Sequence, residues 1–120
     1  MKYTIEADEE FLRVRVWDRD VDVPPSEVCM AIYKESRRLG RNRILVELDQ
    51  KVALSPSSQH MLVTRLPEIG FTFDDRIALV HRRPEMQQAN DFINVLAENR
   101  SIMVRNFPDA ENAMTWLRQA

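Results

Sequence analysis

The sequence predicts an α/β fold: one mixed β-sheet, opened by a hairpin and continued by βα repeats, with helices packed against it. Three observations carry that expectation. "KYTIEADEEFLRVRVWD" alternates apolar and polar residues around an acidic turn, the pattern of two short paired strands. "RILVEL" and "RIALVH" are runs of aliphatic residues of the kind found in interior strands covered on both faces. Amphipathic stretches introduced by proline or serine separate and follow these runs.

In the hairpin, Tyr3 and Ile5 alternate with polar neighbours. Phe11, Leu12, Val14, Val16 and Trp17 follow, with Arg13 and Arg15 pointing the other way, which suits a strand with one wet face. "VDVPPSEVCMAIYKESRRLGRN" then predicts a helix. Pro24, Pro25 and Ser26 stand at its start, Glu27 lies in the first turn, and Gly40 follows the end. Val28, Ala31, Ile32, Glu35 and Leu39 share a face that is apolar apart from the glutamate. Arg37 and Arg38 fall in the last turn, where positive charge suits the helix dipole. With Arg41 and Arg43 they form a basic run, and Arg82 and Arg83 make a second pair. All read as solvated charges at helix and strand ends.

The second helix is expected at "SPSS", with Ser55 as cap and Pro56 in the first helical position. Leu62, Leu66 and Ile69 mark its inner face, and Pro67 is expected to end or kink it near Leu66. "RPEMQQANDFINVLAENR" reads as a single third helix, with Met86, Ala89, Ile93, Leu96 and Ala97 at helical spacing. "SIMVRNF" is the last strand. "PDAENAMTWLRQA" is the last helix, its inner face formed by Ala110, Ala113, Met114 and Leu117, with Trp116 beside them at the core edge. Strands joined through helices pair in parallel, because the crossover returns the chain to the same end of the sheet. Without internal repeats or linkers, residues 1–120 read as a single domain.

Composition narrows the function classes. A chain of 120 residues buries roughly two thirds of its unfolded surface without a staple. A net charge of −2 gives no global attraction to nucleic acid or anionic membrane. No apolar run approaches the roughly 20 residues of a membrane span, so no membrane insertion is expected. The acids near the N-terminus do not suit a signal peptide. Cys29 is the sole cysteine, which fits a reducing compartment and a cytoplasmic location.

No catalytic residue is assigned. Gly40 and Gly70 are far apart, so neither a dinucleotide fingerprint nor a P-loop is present. His60 and His81 have no partner at metal-ligand spacing, and neither a metal nor a cofactor is expected. His60 reads as a polar residue in the first turns of a helix and His81 as a strand end, while Cys29, among apolar residues, reads as packing. Asp74 and Asp75 read as turn formers. Asp49 stands at the carboxyl end of an interior strand, where ligands of open α/β sheets gather. A receiver domain places its phosphoacceptor similarly but needs a lysine after its last strand. Here Asn106, Phe107 and Pro108 stand in that region.

Taken in order, the leading hairpin, "LGRNRILVELD", "DRIALV" and "AENRSIMVRNFPDAENAMTWL" resemble the STAS-related, SpoIIAA-like family of small bacterial domains along nearly the whole chain. Phe107, Ala113, Trp116 and Leu117 match a phenylalanine…alanine-x-x-tryptophan-leucine ending common in such domains. The resemblance implies a non-enzymatic module that binds another protein, or a small apolar or lipid-like ligand. Antagonists of this kind carry a phosphorylated serine at the start of the second helix, which would place Ser57 or Ser58 at that position. The family motif's glycine is absent, Pro56 adjoins the serines, and capping explains them better than a phosphoswitch.

Two candidate sites follow. A partner or anion is expected near Asp49, Ser55, Ser57 and Ser58, where a strand end meets a helix N-terminus. An apolar pocket between helices and sheet would be lined by Leu62, Leu66, Ile69 and Phe71. A homodimer is compatible with either.

Overall fold

The computed structural model describes residues 2–19, 26–50, 52–100 and 102–119, and of residues 18, 19 and 50 the backbone alone. Strand β1 (Lys2–Ala7) pairs antiparallel with β2 (Leu12–Arg19) through the turn that Asp8 organises. The Asp8 carboxylate accepts the backbone N–H groups of Glu10 and Phe11 at 2.8 and 2.7 Å. These bonds, with Arg13, hold its pKa down at about 2.

Helix α1 (Ser26–Leu39) leads to β3 (Arg43–Gln50), α2 (Pro56–Ile69) to β4 (Arg76–His81), and α3 (Pro84–Ala89) with α4 (Phe92–Asn99) to β5 (Val104–Phe107). Helix α5 (Ala110–Leu117) closes the order. Pro24 and Pro25, expected at the start of α1, lie outside the described residues. The five strands lie in sequential order, β1 to β5, with β2 through β5 parallel. The sheet is therefore mixed and the fold α/β, as the sequence indicates.

Sequential order has a consequence for the helices. Crossovers of one hand that always advance in one direction place their helices on one face. That face carries Leu12, Val14, Val16, Ile44, Val46, Ile77 and Val104, packed under α1, α2 and α4. Helix α5 is not a crossover and folds onto the other face, where Ala113 and Leu117 meet Phe11, Leu45, Ala78 and Val80. On the remainder of that face Arg13 and Arg15 are exposed, as their alternation with the valines requires.

Several elements depart from the sequence expectation. The inner face of α1 is Val28, Cys29, Ile32 and Ser36, so the stripe is rotated relative to the predicted one; Glu35 instead pairs outward with Arg38 at 2.6 Å. Helix α2 runs through Pro67 to Ile69, because the N–H groups of Gly70 and Phe71 converge on Leu66 O and close the last turn. Its deepest residues are Gln59 and Val63, with Leu62 and Ile69 half-buried.

Gly70 stands at φ +134, and a Cβ there would lie 2.6 Å from the Tyr33 ring, so only glycine fits. The predicted third helix is two. Asn90 is wholly buried and its Oδ1 accepts from Leu54 N at 3.0 Å, so it serves the loop before α2 and interrupts the helix. Ala89, expected inside, is exposed.

The basic run is also corrected. Arg37 holds buried Asp75, Arg41 reaches Asp8 O at 3.1 Å, and Arg43 donates to Leu117 O and Asp74 O at 2.9 and 3.0 Å. These arginines saturate main-chain carbonyls and a buried carboxylate where loops meet. Arg38 matches the solvated reading, and Arg37 does in part, since 40% of its side chain stays exposed while it holds Asp75.

Candidate functional site

The first candidate is the loop between β3 and α2. Ser55 caps α2, its Oγ accepting from Ser58 N at 3.1 Å and its carbonyl from Gln59 N at 2.9 Å. Pro56 brings no N–H. Three of the first four helical positions are thus accounted for, and little of the N-terminal anion-binding capacity remains. Ser58 is buried, while Ser57 is exposed. Asp49 lies 3.5 Å from the guanidinium of Arg83. Strand order never reverses in this sheet, so the crevice that forms at a switch point in doubly wound folds has no counterpart beside Asp49.

The second candidate is a cavity of about 60 Å³ between the sheet and helices α1, α2 and α4. Val46 and Leu79 line it from the sheet, and Cys29 and Ile93 from helices. Of the four expected lining residues, Leu62, Leu66 and Phe71 reach it, and Ile69, packed at the edge of the core, does not. Two polar side chains, His81 and Asn90, complete the wall.

His81 is the group sequence reasoning undervalued. It is 4% exposed, and neither ring nitrogen makes a well-formed hydrogen bond, although the Asn106 side chain interacts with the ring. Burial lowers its pKa, while the neighbouring Asn106 side chain and the charge of Asp91 oppose that shift. A signal existed. His81 is in register with Leu48, and Asn106 with Leu79, so two strands end in polar residues on the apolar face.

Asn106 in turn ties down the α3–α4 junction. Its Nδ2 donates to Gln87 O and Asp91 Oδ1 at 2.7 and 3.2 Å, and its backbone N–H to Asn94 Oδ1 at 2.7 Å. Gln59, 1% exposed, donates to Leu54 O and Ala89 O from within α2. These amides form a polar seam beside the cavity.

A third feature lies outside the core. A groove of about 450 Å³ runs between α1 and α2, with Met30, Tyr33 and Ile69 as its apolar part. Lys34, Arg65, Glu68 and Ser26 border it, and Arg65 Nη1 donates to Ser26 Oγ at 2.9 Å. Met30 is 50% exposed, and Met61 lies on the same stripe of α2, one turn before Arg65.

Burial pushes the Cys29 thiol up to about 11, which keeps it protonated and unreactive near neutral pH. The described residues contain no group of three or more histidines, cysteines or carboxylates arranged for a metal, and no helix among them is long and apolar enough to cross a membrane. No family model, no curated protein and no solved structure matches this chain.

Proposed function

We propose that this chain is a non-enzymatic protein-interaction module of the STAS-related, SpoIIAA-like kind, acting in the cytoplasm through the groove between α1 and α2. The carrying observation is that groove: exposed Met30 with Tyr33 and Ile69, bordered by charges of both signs. An apolar strip with a mixed polar rim favours a protein partner over a polyanion, a second copy of the chain included. Two groups otherwise capable of chemistry are committed. The Cys29 thiol is held protonated, and the Asp91 carboxylate accepts from Gln87 and Asn106. The test is a photo-crosslinking side chain placed at position 30 in producing cells, with position 73 as control. Phe73 is 69% exposed and does not line the groove. A single adduct of defined mass at position 30, absent at position 73, is the expected result. Equal yields at both positions would sink the proposal.

A second reading, as a small-molecule or lipid-binding domain, is favoured by the internal cavity. Its scale decides what kind. Pockets for drug-sized ligands measure about 300–1,000 Å³. At about 60 Å³ this one admits a very small molecule or the tip of a chain, not a whole lipid.

A further inference from the structure

We propose that the cavity beneath α1, α2 and α4 is a site for a small neutral molecule with a hydroxyl-type head bound to the His81 imidazole and a short aliphatic body. The inference rests on reading the cavity as a ligand site and adds the ligand's chemical class.

The lining selects that class step by step. Of the sixteen residues around the cavity, fourteen are apolar or cysteine, and none carries a formal charge near neutral pH apart from any proton on His81. An ion entering would lose its hydration without a counter-charge, so anions and cations are rejected. An imidazole that is 4% exposed, with no well-formed hydrogen bond at either nitrogen, presents one donor and one acceptor, of which the Asn106 side chain can engage one, inside an apolar volume. A hydroxyl group satisfies either of them, and an alkane neither. Size sets the body. An apolar cavity of about 150 Å³ accommodates benzene, so 60 Å³ accommodates roughly two or three heavy atoms in all, head included.

The experiment compares ethanol with propane, two molecules of nearly equal shape that differ in the hydroxyl. Methyl-labelled and histidine-labelled full-length protein is titrated with each, and the spectra follow the His81 ring with the methyl groups of Leu79, Ile93 and Val104. The expected result is saturable millimolar binding of ethanol, shifts at the His81 ring and those methyls, and affinity for propane at least tenfold weaker. In His81→Phe the preference reverses. Cys29→Leu, which fills the cavity, removes both. Propane binding as well as ethanol in the unmodified protein would overturn the role of His81 while leaving a ligand cavity. Saturable binding of neither would overturn the ligand reading itself. The comparison on unmodified protein decides the matter even if His81→Phe fails to fold.

Discussion

Arg37 grips the carboxylate of Asp75 with both guanidinium nitrogens, Nη1 to Oδ1 at 3.0 Å and Nη2 to Oδ2 at 2.7 Å. The pair joins the end of α1 to the turn before β4. Asp75 is 3% exposed and also accepts Thr72 N at 3.0 Å, while Arg37 lies over the Tyr33 ring at 4.6 Å. Tyr33 in turn meets Phe71 edge-on at 5.2 Å. One arginine therefore fixes an aromatic pair and a buried carboxylate together. Removing it strands a buried negative charge; removing the charge leaves a partly solvated arginine. Arg37→Ala is expected to cost about 2–3 kcal/mol, and Asp75→Asn clearly less. Urea midpoints measure both, and equal losses would refute the asymmetry.

Element order was readable because its signals are local. Proline and serine open helices, glycine ends them, and aliphatic runs mark β3 and β4. The role of Arg37 was not, because Asp75 lies 38 residues away and nothing beside Arg37 announces it. The same applies to Arg43, whose acceptor Leu117 O comes 74 residues later. The break at Asn90 escaped periodicity for a related reason, since its partner Leu54 belongs to a loop on another element. Of the candidate sites, apolar pocket lining was legible from helical spacing at Leu62 and Leu66. Its polar wall was legible only in part: alternation puts His81 on the face of Ile77 and Leu79, but a histidine ending a strand looks alike whether buried or solvated.

The start of α2 distinguishes two neighbouring serines. Ser57→Glu places charge on an exposed first-turn position that suits the dipole and is expected to change stability by no more than about 0.5 kcal/mol. Ser58→Glu forces a carboxylate into a site 7% exposed and is expected to cost more than about 2 kcal/mol. Ser55→Ala removes the cap and costs about 1 kcal/mol. Thermal or urea unfolding of the three variants checks the order. Equal tolerance of both glutamates would show Ser58 to be accessible and would restore it as a candidate for phosphorylation.

His81 predicts an acid-sensitive fold. Its folded pKa is lowered by burial, so on acidification the unfolded chain takes up this proton first, near the ordinary histidine value of about 6.5. Above that value both states are neutral and nothing is lost. As pH falls below it the folded state is progressively disfavoured, until the lowered folded pKa is passed and the loss levels off. The urea midpoint should therefore drop between pH 7.5 and 5. His81→Phe should flatten that slope, whereas His60→Gln, at an exposed position 2.7 Å from Arg100, should leave most of it. A wild-type slope that survives His81→Phe would assign the effect elsewhere.

Trp116 covers the edge of the smaller core. It is half-buried, tilted against Phe107 at 5.4 Å between ring centres, with the Arg76 guanidinium over it at 5.6 Å. Arg76 also donates to Trp116 O at 2.9 Å, so main chain and ring are held from the same side. Full burial of a tryptophan would make truncation cost about 3–5 kcal/mol; partial exposure reduces this to roughly 2 kcal/mol. Trp116→Ala should lower the urea midpoint accordingly. Trp116→Phe should recover about half of the loss, because a smaller ring keeps the contact with Phe107 while giving up part of the covered area. Neither change should alter crosslinking from position 30, since α5 lies on the opposite face of the sheet from α1 and α2. An unchanged midpoint in Trp116→Ala would mark the ring as a surface feature, and α5 rather than the α1–α2 groove would become the face to probe for partners.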